Sequence, residues 1–197
     1  RAPGRDEFPA AAVSVPLGAA RLTKDRLPGD PPRPSSVAAL REYVSETLAA
    51  PVRALKAQPK PDLVAATSKT FRSLARVAGA APSGQGPYVE RLLRRGDLQL
   101  WSRRLEVLSF DERASLPGVS PIRAPQLLAG AIVAETAIEA LDVDELRICP
   151  WAVREGLILH RFDRLMRDHD VVGDAYVGVG SVELLSREVN RVPGAAL

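Results

Sequence analysis

The segment 124–141 restricts this chain's fold more than any other. Leu127, Leu128, Ala131, Ile132, Ile138 and Leu141 recur at helical intervals, which predicts one long helix with a packed stripe. Gly130, Ala131 and Ala134 along it are small enough for a neighbour to approach closely, and Pro125 fits its first turn. Its strongly apolar part, 127–134, is closed by Glu135 and is far shorter than the roughly 20 residues that span a bilayer. No transmembrane helix is expected. A content of 46% hydrophobic and 26% charged residues in 197 excludes a wholly disordered chain and suits one globular domain. The first seven residues include the basic Arg1 and Arg5 but have no apolar core region behind them, so they do not read as a secretory signal. A single cysteine, Cys149, excludes an internal disulfide and suits a reducing cytoplasm. The chain starts at Arg1 instead of a methionine, which leads us to expect a processed product, an engineered segment or a piece of a longer polypeptide.

Around the long helix, strand and helix patterns alternate. Residues 11–15 read as a short buried strand, closed by Pro16-Leu17-Gly18, and 19–27 as a turn or two of helix. After the proline-rich 27–34, Ser35 or Ser36 caps a helix to about Ala50, with Val37, Leu40, Val44 and Leu48 at helical spacing and Pro51 as the expected break. A second buried strand is predicted at 62–66 and a helix at 68–78, ended by Gly79. Residues 88–93 fit an edge strand or a short helix. Leu98, Trp101, Leu105 and Leu108 mark a helix with Arg103 and Arg104 outward, and Ser109 with Glu112 has the spacing of a capping box. A last strand is predicted at 145–149, stopped by Pro150, followed by an amphipathic helix through Val153, Leu157, Ile158, Phe162 and Leu165. Strand alternating with helix argues for α/β layers. The residues from 166 to 197 lack a core pattern and read as a loosely held tail.

The most suggestive chemistry lies at Thr67-Ser68-Lys69-Thr70, where a strand meets a helix. A helix N-terminus presents free amides and the positive end of the helix dipole, and the three hydroxyls and Lys69 would add donors for a phosphate. The competing explanation is that Ser68 or Thr67 only caps the helix. The segment is not a Walker A loop, because the required glycines are absent. Gly18 opens a strand exit with Arg21 available as a phosphate clamp; equally, Gly18 serves only a tight turn. Of 27 basic residues only Lys24, Lys56, Lys60 and Lys69 are lysines. Arginine forks suit phosphates, although a GC-rich genome writes the same bias everywhere. Arg91, Arg94, Arg95, Arg103 and Arg104 form a basic run that fits either a polyanion or a solvated helix face. His160 and His169 lack a nearby ligand set and no metal site is expected. There is no nucleophile elbow. Glu135 and Glu139 form one helical row expected to be solvated or paired.

Five blocks, taken in order, resemble the Ppx/GppA phosphatases, the exopolyphosphatase and guanosine pentaphosphate phosphohydrolase family. They are Ser14-Val15-Pro16-Leu17-Gly18-Ala19-Ala20-Arg21, Ala65-Ala66-Thr67-Ser68-Lys69-Thr70-Phe71-Arg72, Leu116-Pro117-Gly118-Val119-Ser120-Pro121-Ile122-Arg123-Ala124, Ala129-Gly130, and Trp151-Ala152-Val153-Arg154-Glu155-Gly156. The resemblance runs over 11–162. It implies an α/β, ribonuclease H-like lobe of the actin-like ATPase superfamily. The chain would be the C-terminal lobe over 1–165, incomplete at its N-terminus, with the tail at 166–197. The family's aspartate-glycine-serine turn, catalytic glutamate and glycine-rich phosphate loop belong to a preceding region and do not occur here, so no catalytic residue is assigned. Thr67, Ser68, Lys69 and Thr70 would face the phosphates, Gly18 and Arg21 would lie near the cleft, and Arg154, Glu155 and Gly156 would buttress it. Lys69, Pro125 and Cys149 depart from the glycine, aspartate and serine usual in the family.

The activity so implied is hydrolysis of terminal phosphoanhydride bonds of inorganic polyphosphate or guanosine pentaphosphate with Mg2+ in the full-length enzyme, in the cytoplasm. This chain alone is expected to be inactive and to bind no metal. Its expected partners are the missing N-terminal lobe and, as a homodimer, a second copy. The alternative reading is a non-catalytic module that binds polyphosphate or nucleic acid through its arginines.

Overall fold

The computed structural model describes residues 9–169. The elements are α1 (Ala19–Arg26), α2 (Pro34–Lys56), β1 (Ala65–Ala66), α3 (Lys69–Val77), a 3-10 turn (Ser83–Gln85), β2 (Leu92–Arg94), α4 (Arg95–Val107), α5 (Phe110–Ala114), α6 (Ala124–Leu141), β3 (Glu145–Ile148) and α7 (Val153–His169). The chain divides into two compact units, Arg1–Ala152 and Val153–Leu197, so the division falls inside the span 1–165 expected as one lobe. Most of the expected tail lies outside the described residues.

In the first unit the helix predicted at 124–141 is the centre. Helices α1 to α5 all pack on α6, and its Leu128, Ala129, Ala131 and Ile132 are fully buried. Apolar side chains all round a helix are stable when neighbours cover every face, which explains why α6 has the length and composition of a membrane span yet forms a protein core. Arg41 of α2 binds α4 and α6 to each other. It donates to Glu135 (2.6 Å), Glu106 (2.7 Å) and Ser102 (3.0 Å). Glu135 is therefore buried and paired, whereas Glu139 accepts from Gln99 near the surface.

The sheet has the order β1-β3-β2, with β1 parallel and β2 antiparallel to β3. Alternation along β3 buries Leu146 and Ile148 and exposes Glu145 and Arg147. Of the two readings of 88–93, the edge strand is the one adopted, shifted to Leu92–Arg94. Only Ala65–Ala66 of the strand predicted at 62–66 pairs, with Val64 adding one backbone bond to Arg147. The strand expected at 11–15 does not form. No described strand lies beside it to complete a ladder, although Val15 still packs against the core.

Helix α2 does not stop at Ala50 but continues through Pro51 to Lys56. A helix-interior proline removes one hydrogen bond and costs about 3 kcal/mol. Val52 packs against the core beyond it, and this burial offsets part of that loss. The capping box at Ser109 and Glu112 is complete, and Asp30 adds its carboxylate to the Phe110 amide at 2.8 Å. In α7, Leu157, Ile158 and Leu165 of the predicted packed stripe are exposed.

Candidate functional site

The 67–70 segment turns from β1 into α3, as the sequence predicted. Two of its three hydroxyls have protein partners. Ser68 caps α3, its Oγ accepting from the Phe71 amide at 3.2 Å, and Thr67 Oγ1 donates to the Trp151 carbonyl at 2.7 Å. The capping explanation therefore accounts for Ser68, and Thr67 fastens the turn to the segment after β3. Lys69 is exposed, and the amides of Lys69 and Thr70 stand in the first turn of α3, where a helix has no internal acceptor for them. Free first-turn amides of this kind are the donors with which a helix N-terminus meets an anion.

Thr70 has a packing role that the spacing did not reveal. Its Cγ2 lies against Gly130 of α6 so closely that a methyl group at position 130 would overlap it, and Ala19 Cβ would stand 3.6 Å from that methyl group. Gly130 is thus the point where the N-terminal turns of α1 and α3 come together. Gly18 is the residue before α1, with φ −68° and ψ 123°, an ordinary extended conformation. Its missing side chain is not required by the turn, and the space where a Cβ would stand is open. Arg21 sits further along α1, exposed and paired with Asp25 at 3.4 Å. It lines a hollow with Pro16, Leu22, Asp25, Arg26 and Tyr43. Arg154, Glu155 and Gly156 occupy the first turn of α7, in the second unit. Arg154 and Gly156 are exposed and Glu155 is half-buried.

The basic run Arg91, Arg94, Arg95, Arg103 and Arg104 is dispersed. Arg91 is buried and bonds backbone carbonyls, Arg94 pairs with Glu145, and Arg95 pairs with Asp142 and Asp144. Arg104 lies over the Trp101 ring. A strand, a helix start and a helix face aim these side chains differently, so neighbours in sequence do not form one surface. A different set converges. Lys69, Arg72 and Arg76 of α3 meet Arg91 and Arg123 around a groove of about 480 Å³ that also reaches Ser83 and Ser120. Its signal in the sequence was the i, i+3, i+7 spacing along α3. Arg123 and Ser120 come from a loop about fifty residues away, which spacing within α3 could not reveal.

The family is settled by the match of the Ppx/GppA phosphatase family model to residues 2–165. The chain belongs to this family. Ppx/GppA relatives named exopolyphosphatase 1 are 46% identical: in Mycobacterium tuberculosis over 96% of this chain and 54% of the relative, and in Mycobacterium leprae over 95% and 54%. The chain therefore spans about half the length of the curated relatives it matches. Among solved structures, the Aquifex aeolicus Ppx/GppA family member matches with a TM-score of 0.66 at 22% identity, over 77% of this chain and 48% of that one. A Cytophaga hutchinsonii exopolyphosphatase matches with a TM-score of 0.62 at 17% identity, over 74% and 47%. The chain has the α/β fold of Ppx/GppA phosphatases.

Proposed function

We propose that this chain is the phosphate-holding C-terminal lobe of an exopolyphosphatase that removes terminal phosphate from inorganic polyphosphate, with guanosine pentaphosphate as the other substrate the family name admits. The observation that carries this reading is the meeting of the N-terminal turns of α1 and α3 at Gly130. The positive ends of two helix dipoles then lie near one point. The Lys69 and Thr70 amides and the Lys69 ammonium would hold phosphoryl oxygens as negative charge grows on them, which is the larger part of phosphoryl-transfer catalysis. The similarity of the chain to exopolyphosphatases supports the substrate class.

The groups that break the bond would come from the half of the relatives that this chain does not match. A glutamate there would orient the attacking water, and Mg2+ would neutralise phosphate oxygens. Around the 67–70 loop the donors are cations and hydroxyls, and among the described residues no three His, Cys, Asp or Glu side chains gather. This donor set does not suit a divalent cation, so no step is assigned to one here. The enzyme so read is cytoplasmic, with the N-terminal lobe as its partner.

The test is phosphate release from polyphosphate by the chain alone and by the chain joined to the unmatched half of the mycobacterial exopolyphosphatase. The chain alone is expected to release none and the joined protein to turn over, with Lys69→Gln lowering its rate. Turnover by the chain alone would overturn the proposal. Binding without turnover in the joined protein would favour the non-catalytic module.

A further inference from the structure

The groove along α3 gathers cations without carboxylates among its lining residues. Lys69, Arg72 and Arg76 share one face of α3, about 10 Å from first to last at 1.5 Å per residue. Arg91 and Arg123, from outside α3, also line the groove. Among the described residues no acidic side chain lines the groove, and none of these five cations forms an ion pair. Other arginines are neutralised: Arg41 by Glu106 and Glu135, Arg94 by Glu145, Arg147 by Glu90. Like charges held together raise the energy of the empty groove and focus a positive potential into it.

Its walls are fixed by side-chain contacts to backbone carbonyls and to a glycine. Arg91, 8% exposed, donates to the carbonyls of Ala81, Pro82, Gly86 and Val89, which holds the loop carrying Ser83. Gly118, at φ +75°, lies under the Arg76 stem, where a Cβ would stand 2.6 Å from Arg76 Cγ. Ser73 Oγ donates to the Gly118 carbonyl at 2.9 Å and Arg76 Nη1 to that of Ala80 at 3.0 Å. Arg76 is thereby laid along the groove.

We infer that this groove is a chain-length subsite that holds the internal phosphates of a linear polyphosphate whose end lies at the 67–70 loop. It rests on the proposed function only for the identity of the anion at that loop. A row of cations matches a chain that carries charge on every unit, and no aromatic side chain lines the groove to stack nucleic-acid bases.

The test is equilibrium binding of this chain to tripolyphosphate, to long-chain polyphosphate and to single-stranded DNA over a series of salt concentrations. Long-chain polyphosphate is expected to bind at least about tenfold more tightly than tripolyphosphate, with a steeper salt dependence. Arg123→Gln removes a side chain that bonds nothing else described, so it tests the groove without disturbing the fold. It and Arg76→Gln should each weaken long-chain binding about 3- to 10-fold, lower the salt slope by about one, and leave tripolyphosphate binding unchanged. Equal affinity for short and long chains, an equal loss for both ligands, or DNA binding as tight as long-chain polyphosphate would each overturn the inference. Length-selective binding in a joined protein without turnover would retain the groove and refute the hydrolase; turnover without length selectivity would do the reverse.

Discussion

Thr70 Cγ2 and the Cα of Gly130 occupy adjoining space with no room for a further carbon between them, so α3 sits as close to α6 as a glycine permits. Gly130→Ala should force the two helices apart. Overpacking of this kind costs about 1–3 kcal/mol. Chemical denaturation is expected to show that loss for Gly130→Ala, and the added Thr70→Ser change, which deletes Cγ2, should recover a large part of it. A double variant no more stable than Gly130→Ala would show that the contact with Thr70 is not the cause.

Arg41 and Glu135 form the second tie to α6. The Glu135 carboxylate is 7% exposed and the Arg41 side chain 32%. Desolvation opposes charge on Arg41, but its hydrogen bonds to Glu106 and Glu135 and their negative charges outweigh it and raise its pKa above the ordinary arginine value. Arg41→Met would leave Glu135 buried without its cation, a loss expected at about 2–4 kcal/mol. Arg41→Met with Glu135→Leu should lose less than Arg41→Met alone. A thermal melt of the three proteins decides it.

The Arg91 guanidinium should control the order of the loop at 81–89. Lysine cannot reproduce four forked carbonyl contacts. Arg91→Lys is therefore expected to speed hydrogen exchange of amides in 81–89 while leaving those of α6 unchanged. Equal protection of the loop in both proteins would count against this role.

Stability below neutral pH should depend on Glu112 and Asp142. The Ser109 amide, then its hydroxyl, lowers the Glu112 pKa, and the hydrogen bond from Arg95 lowers that of Asp142. A depressed folded-state pKa means the fold favours the carboxylate. The stabilisation is thus full above the ordinary carboxylate range and disappears as pH falls through the lowered values. Glu112→Gln is expected to flatten the acid side of the stability curve; an unchanged acid limb would show that the capping box contributes no pH dependence.

Local rules were readable wherever they act within one element. The small residues of α6, the Ser109 and Glu112 box and the helix beginning after Ser68 depend on spacings of three and four along the chain, and the structure has each of them. The strand at 11–15 failed because an apolar run becomes a strand only beside a partner, and none of the described strands is one. Pro51 misled for a similar reason: its local cost is real, but the packing of Val52 decides whether the helix goes on.

The sequence by itself determined the central helix, the strand-to-helix turn at 67–70, the capping box and the family resemblance, because each is carried by neighbours in the chain. Only the tertiary structure decided which cations share a surface. It separated Arg94 and Arg95 onto carboxylates and brought Arg123 to the Arg72 and Arg76 face of α3. Charges act through space, and the distance between Arg76 and Arg123 is set by how α3 packs against α6 and the turn at Gly118, not by the residues that separate them along the chain.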